Sequence, residues 1–352
     1  MAEASAHLDA GRYSQAVEIL KPLADKNPES VAVHFNLALA NTLAGNDADA
    51  IAGFRKALTL KPDLYEARLN LAQLLVKTGQ FAEAAPLLDQ CLSTKPADPK
   101  AAYLLARAHA GQSNWPLAAS AFEAAAKLNP GDKSILLELA AVQEKAQLPA
   151  KAAAIYAAFP DDPAAQERRG LILLRSGDYP GAIASLELAR ATGPSPAVLY
   201  ALATAYLRNH QPDLALPLAA KLAEMEPSNQ ELVLFYGRLL RDRKRYEDAA
   251  PLFLAAVKLK PDSGEAWNEL TAVLLLLKRY EPALAALEKA RSLNGETPAY
   301  HYLRATMLDA LNQPQPALES YLKFLSVSQD KFPGEEFKAR QRVKVLKKVV
   351  DR

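Results

Sequence analysis

The sequence predicts an all-α fold, an α-solenoid of antiparallel helix pairs with a 34-residue period and a C-terminal capping helix. Three observations predict it. Ala and Leu dominate over Val and Ile in a chain that is 50% hydrophobic, and the first pair favours helices where β-branched residues favour strands. The 24 prolines mostly stand between periodic segments, as they do where short helices are joined by tight turns. Finally, residue ladders repeat in phase along the chain.

The first ladder is Ala16, Ala50, Ala84, Ala118 and Ala152 at intervals of 34. After a gap of 30 comes Ala182, after 33 Ala215, and then Ala249, Ala283 and Ala317 at 34 again. A second ladder runs twelve residues ahead: Ala4, Ala38, Ala72, Ala106, Ala140, Gly170, Ala203, Gly237, Thr271 and Ala305. A third follows the alanines by twelve: Pro28, Pro62, Pro96, Pro130, Pro194, Pro227 and Pro261. Two helices, A and B, account for each period. Small residues at the eighth and twentieth positions let their backbones approach. Phe54, Phe122, Tyr156, Phe253 and Tyr321 fill the space between successive units, and the proline stops helix B. No unit buries its apolar faces alone, so neighbours stack into one continuous core.

These residues resemble the tetratricopeptide repeat, W-x2-L-G-x2-Y followed by A-x3-F and P. "AGFRKALTLKP" (52–62), "AAPLFLAAVKLKP" (249–261) and "WNELTAVL" (267–274) carry the closest local matches, and the resemblance covers about 330 residues in ten copies. It implies a right-handed superhelix over 1–330, followed by a capping helix over 331–352.

The fifth unit, 133–162, is four residues short, all lost from the end of helix B at Phe159-Pro160. Four residues are about one helical turn, and periodicity resumes at once with "ERRGLILLRSGDYPGAIASL" (167–186). The shortening predicts a kink within one solenoid. A linker would be longer, polar and Gly/Ser-rich.

At the N-terminus, residues 1–10 hold only the last part of a helix A. A native start farther upstream is therefore expected, and the first helix lacks an evident cap. At the other end "FPGEEFKARQRVKVLKKVVDR" (332–352) leaves the repeat. Phe337, Val343, Leu346 and Val350 fall at helical spacing, opposite Lys338, Arg342 and Lys348. The expected role is an amphipathic cap over the last unit, with contact to acidic lipid as the alternative.

Several function classes are excluded. A net charge of +2 is too small for a nucleic-acid face. Cys91 is the only cysteine, so there is neither an intrachain disulfide nor a four-cysteine zinc site. No stretch approaches the roughly 20 apolar residues of a membrane span, and the N-terminus lacks the features of a signal peptide. The compartment stays open between cytoplasm and export after removal of a leader. The Ala/Leu/Pro-rich, cysteine-poor style is bacterial in type. No nucleophile elbow, phosphate-cradling glycine loop or HExxH motif occurs, so neither enzyme activity nor a cofactor or metal is expected. His34, His109 and His301 fall at core-facing positions, Trp115 and Trp267 fill ladder positions, and Cys91 takes a small-residue place.

The resemblance further implies a concave groove lined by helix A. Its fifth position is Phe35, Leu69, Tyr103, Leu137, Glu167, Tyr200, Leu234, Asn268 and Tyr302. The ninth includes Gln73, Arg107, Thr204, Arg238 and Thr306, and the twelfth and thirteenth add Lys77, Lys145, Arg175, Arg208 and Arg241. Tyrosines supply rigid amphipathic area and arginines a fork for carboxylate. The expected partner-binding set is therefore Tyr103, Arg107, Lys145, Arg175, Tyr200, Arg208, Arg238, Arg241 and Tyr302, facing a protein or peptide of acidic character. Against this, basic residues in a last helical turn are favoured by the helix dipole alone. Glu66, Glu144, Asp242 and Asp309 also dilute the positive field. The carboxylate clamp of chaperone-binding relatives is missing around Asn36 and Asn70. Met1 and Ser5 precede the first, and Lys100 and Leu104 follow the second, where the clamp needs other residues.

The function expected is a non-enzymatic protein–protein interaction scaffold. The alternatives are the interaction arm of a larger enzyme or secretion and assembly apparatus, and self-association through the uncapped N-terminal helix.

Overall fold

A computed structural model describes residues 1–191, 193 and 195–351. Twenty-one helices and no strand occur among the described residues. The chain divides into two compact units, Met1–Leu173 and Leu174–Arg352.

In the first unit, α1 (Ala2–Asp9) packs on α2 (Tyr13–Lys26), α3 (Val31–Ala44) on α4 (Asp47–Leu60) and α5 (Tyr65–Lys77) on α6 (Phe81–Thr94). The pairs α7 (Pro99–Gly111) with α8 (Trp115–Leu128) and α9 (Lys133–Lys145) with α10 (Pro149–Tyr156) follow. Helix α11 (Pro163–Ser176) carries the division between the units. The second unit contains α12 (Tyr179–Arg190), then α13 (Pro196–Arg208) paired with α14 (Pro212–Met225) and α15 (Gln230–Asp242) with α16 (Tyr246–Leu259). Next come α17 (Gly264–Leu276) with α18 (Tyr280–Asn294) and α19 (Pro298–Ala310) with α20 (Pro314–Val327). Helix α21 (Pro333–Val350) packs on α20.

The ladders are the core. Ala38, Ala50 and Ala57 are fully buried around Phe54, and Ala118 and Ala125 around Phe122. Gly237 sits so close to Phe253 that an added Cβ would lie 2.8 Å from its ring. The ladder prolines stand two residues beyond the last residue of helix B, as Pro62 does after Leu60 and Pro261 after Leu259. Pro194 lies outside the described residues. At three of the ladder prolines the carbonyl is taken by the fourth residue of the following helix A. His34 Nε2 lies 2.9 Å from the Pro28 carbonyl, Arg68 donates to Pro62 at 2.6 Å and Trp267 Nε1 to Pro261 at 2.9 Å. His301 is buried beside Glu296, and burial, reinforced by Lys323 and Arg304 against the pull of Glu296, holds its pKa below the ordinary value.

Most A helices from α7 onward start on a side-chain cap. Asp98, Asp132, Ser195, Asn229, Ser263 and Thr297 accept from backbone amides of the first turn, with proline at the first helical position of α7, α13 and α19. The turn from A to B uses one conformation throughout. Its pivot, the fifteenth position, is left-handed at Gly45, Gly79, Ser113, Gln147, Gly177, His210, Lys244, Lys278 and Asn312, with φ between 56 and 84°. Glycine adopts this conformation without cost, whereas a side chain strains it.

Two departures stand out. Helix α10 has 8 residues where α8 has 14, and Phe159, 8% exposed, folds back onto Tyr156 and Ala165 in place of the missing turns. On α21 the buried face is Glu336, Ala339, Val343 and Leu346, with Val350 at its edge. Phe337, which spacing assigns to the apolar face, is instead 64% exposed. Its phase is one residue past Glu336, and Ala339 lets α21 approach α20 where a larger ring would hold it off.

Candidate functional site

The A helices carry the nine expected contact residues, and the structure sorts them by what already holds them. In the first unit Tyr103 on α7 is half-buried. Its ring meets Phe122 edge-on at 6.1 Å and its hydroxyl donates to Glu138 on α9 at 2.7 Å. Burial and that carboxylate both push the Tyr103 pKa up, so it remains a neutral donor. The Arg107 guanidinium lies over the same ring at 5.9 Å. Arg107 and Lys145 are exposed and have no carboxylate partner among the described residues.

In the second unit Tyr200 on α13 is 47% exposed, and its ring meets that of Phe235 on α15 at 5.1 Å, tilted by 50°. Arg175 and Arg208 are exposed and without a carboxylate partner among the described residues. Arg238 and Arg241 differ. Arg238 donates to Glu269 and to Glu265, each at 2.6 Å, while Arg241 donates to Glu269 and to Asp242, the latter at 3.1 Å. The Arg238 guanidinium is consumed by α17 of the next pair, and that of Arg241 by α17 and by its own helix. Tyr302 on α19 packs against Phe324 at 5.1 Å and Tyr321 at 6.2 Å, and burial raises its pKa.

The acidic groove residues are likewise spoken for. Glu144 accepts from Tyr156 and Arg168, and Asp309 accepts a two-bond fork from Arg342 of α21, both bonds at 2.7 Å. Lys77 is held by Asp47 at 2.8 Å. The fifth position is also uneven: Leu234 is 2% exposed and belongs to the core, whereas Tyr200 and Asn268 are open.

Sequence reasoning missed a cleft of about 500 Å³ between α17, α18 and α19. Ala272, Leu275 and Leu276 of α17 face Ala299 and Leu303 of α19 across it, with Asn268 and Thr271 at one side. Leu276 is 49% exposed there. The cleft opens where α18 runs on to Asn294 and ends at Gly295 in place of a ladder proline, so the link into α19 differs from its neighbours. That missing proline is the sequence signal. Glu269 was also missed; its signal is an acidic residue 31 positions after Arg238, almost one repeat later.

No group of His, Cys, Asp and Glu fit to hold a metal occurs among the described residues. No helix among them is long and apolar enough to cross a membrane.

One tetratricopeptide repeat family model matches residues 1–65, 69–133, 103–159, 137–196 and 200–264, and a second matches 240–307. The chain is 30% identical over 209 residues to cellulose synthase operon protein C of Xanthomonas axonopodis pv. citri, covering 56% of this chain and 14% of that protein. It is 29% identical over 155 residues to the type IV pilus assembly protein PilF of Pseudomonas aeruginosa, covering 43% of this chain and 62% of PilF. The chain thus spans less than two thirds of either relative. The C-terminal part of a TPR repeat-containing protein from Cytophaga hutchinsonii superposes with a TM-score of 0.50 at 19% identity, over 69% of this chain and 99% of that one. This last likeness speaks to fold alone.

Proposed function

We propose that this chain, which belongs to the tetratricopeptide repeat family, is a non-enzymatic scaffold binding a segment of a partner protein along its A helices. Proteins of this family generally mediate protein–protein interaction. The observation that carries the reading here is the apolar cleft at Leu275, Leu276 and Leu303, a concavity of about 500 Å³ beside exposed A-helix positions. Exposed apolar area costs about 25 cal/mol per Å² relative to burial, so an apolar anchor side chain gains by seating there. Tyr200, already braced by Phe235, offers rigid contact area. Arg175 and Arg208 in the second unit, and Arg107 beside Tyr103 and Lys145 on α9 in the first, are the cations of the expected set left to meet acidic groups. Arg238 and Arg241 serve the scaffold itself, and Tyr302 supports α19 from within its aromatic cluster.

The test is site-specific photo-crosslinking from position 276, with Leu254 on helix B as the comparison site. A partner captured at 276 and not at 254 is then purified and titrated. Loss of its affinity in Leu276→Glu supports the reading, and equal capture at both sites refutes it.

A second reading, that the chain is the interaction arm of a larger assembly, draws on the relatives it resembles. The names of two of them refer to a cellulose synthase operon and to type IV pilus assembly. Co-purification of the native gene product with a membrane-bound synthase or pilus complex would support it; elution free of any such complex would not.

A further inference from the structure

The outward face of α21 is not polar. On a helical projection at 100° per residue, the face opposite Ala339, Val343 and Leu346 carries Phe337, Val345 and Val349 alternating with Lys338, Lys344 and Lys348. Phe337 is 64% exposed, Val345 48% and Val349 52%. All three lysines are exposed, and none has a carboxylate partner among the described residues. Gln341 and Gly334 complete the arc, which holds no carboxylate; Glu335 lies beyond one edge and Asp351 beyond the other. The two arginines of the helix are engaged elsewhere, Arg340 with Glu336 and Asp330 and Arg342 with Asp309.

We propose that this face of α21 adsorbs to a bilayer surface bearing anionic phospholipid headgroups. Charge complementarity selects the occupant. A second copy would set three lysines against three lysines. A single convex helix face suits a fluid plane better than a shaped protein surface. Lysine stems lie along apolar surface while their ammonium groups reach headgroups, which leaves Phe337, Val345 and Val349 to enter the acyl boundary. The helix lies on the surface, and its inner face stays on α20.

The experiment is sedimentation of the full chain with phosphatidylglycerol/phosphatidylcholine vesicles and with pure phosphatidylcholine vesicles at about 0.1 M salt, where screening sets in within about 10 Å. The wild type pellets with the first and not the second. Each lysine near an anionic surface contributes roughly fivefold, so K338E/K344E/K348E weakens partitioning by a hundredfold or more. F337S/V345S/V349S weakens it as well. Both variants replace exposed side chains, and unchanged thermal melts show that they fold. K21E/K26E/K61E, the same charge change in the first unit, keeps binding. The proposal is overturned if the wild type ignores anionic vesicles, or if the first-unit variant loses as much as the α21 variant. Capture by immobilised polyglutamate without vesicle binding also overturns it, in favour of an acidic protein.

Discussion

Arg238 Nε donates to Glu269 Oε1 at 2.6 Å, tying α15 to α17 across one repeat, and Arg241 reaches the same carboxylate. Glu269 is 15% exposed and the arginines about a third or less, so the cluster is partly sheltered from solvent. Burial works against the charged Arg238, but the hydrogen bonds and charges of Glu269 and Glu265 outweigh it and raise its pKa. One acid held by two forked donors is a structural joint.

It follows that the basic residues of the groove separate into two classes. Arg238→Glu with Arg241→Glu places like charges around Glu269 and lowers stability, on the order of 2–3 kcal/mol for breaking charge-assisted bonds. Arg175→Glu with Arg208→Glu leaves the unfolding free energy within about 0.5 kcal/mol of wild type. Urea melts of the two double variants check this. Equal stability of both would remove the joint, and only the second pair is expected to weaken an acidic partner without unfolding the chain.

The left-handed pivot offers a gain of stability. Lys244 and Lys278 hold φ near 59 and 58°, where Gly45 and Gly79 do so freely. Replacing either lysine by glycine relieves about 1 kcal/mol of left-handed strain, offset in part by the flexibility glycine adds to the unfolded chain. A net gain of roughly 0.5 kcal/mol per site is expected, read as a higher urea midpoint with an unchanged slope. A lower midpoint at both sites would contradict the argument.

Acid should loosen the start of α7. Burial alone would raise the Asp98 pKa, but the Tyr65 hydroxyl at 2.5 Å, the Ala101 and Lys100 amides and the Lys95 ammonium hold it below the ordinary value. A lowered folded pKa gives stability that is present above the unfolded value, about 3.9, and is lost as pH falls through the folded one. Asp98→Asn cannot carry that pH dependence, while its amide oxygen can still accept from the Lys100 and Ala101 amides and keep the cap. Its stability therefore changes less than the wild type's between about pH 4 and 2. Parallel curves for the two proteins would show that Asp98 does not contribute.

Cys91 reports on opening of the first unit. It is fully buried, and burial, joined by Asp98 against the pull of Arg68 and Lys95, pushes its thiol pKa up. Since the thiolate is the reactive form, native protein should react with a maleimide at least about a hundredfold more slowly than urea-unfolded protein. Comparable rates would mean that α6 is open in solution.

Gly237 sets two effects against each other. Glycine to alanine within a helix gains about 1 kcal/mol of propensity, yet the new methyl would meet the fully buried Phe253 ring at 2.8 Å. Overpacking of this kind costs roughly 1–3 kcal/mol, so Gly237→Ala should destabilise. A higher melting temperature would show that Phe253 has room to move.

The period of the alanine and proline ladders determined, without any structure, that the chain is a stack of helix pairs. It did so because small residues at fixed phase are what close helix packing demands, and the eighth and twentieth positions came out fully buried at Ala38 and Ala50. The same phase located the A-helix residues but not their state. Whether an arginine is free depends on which side chain of the next pair lies within reach, and Arg208 and Arg241 occupy nearly the same register with opposite outcomes. Helical spacing likewise put Phe337 among apolar neighbours, and only packing against α20 turned it outward and let Ala339 in. The cleft at Leu276 arose from a departure from the repeat, where the ladder proline is missing. Periodicity records where a side chain leaves its own helix; its partners are set by side chains a repeat away, and these only the folded stack brings together.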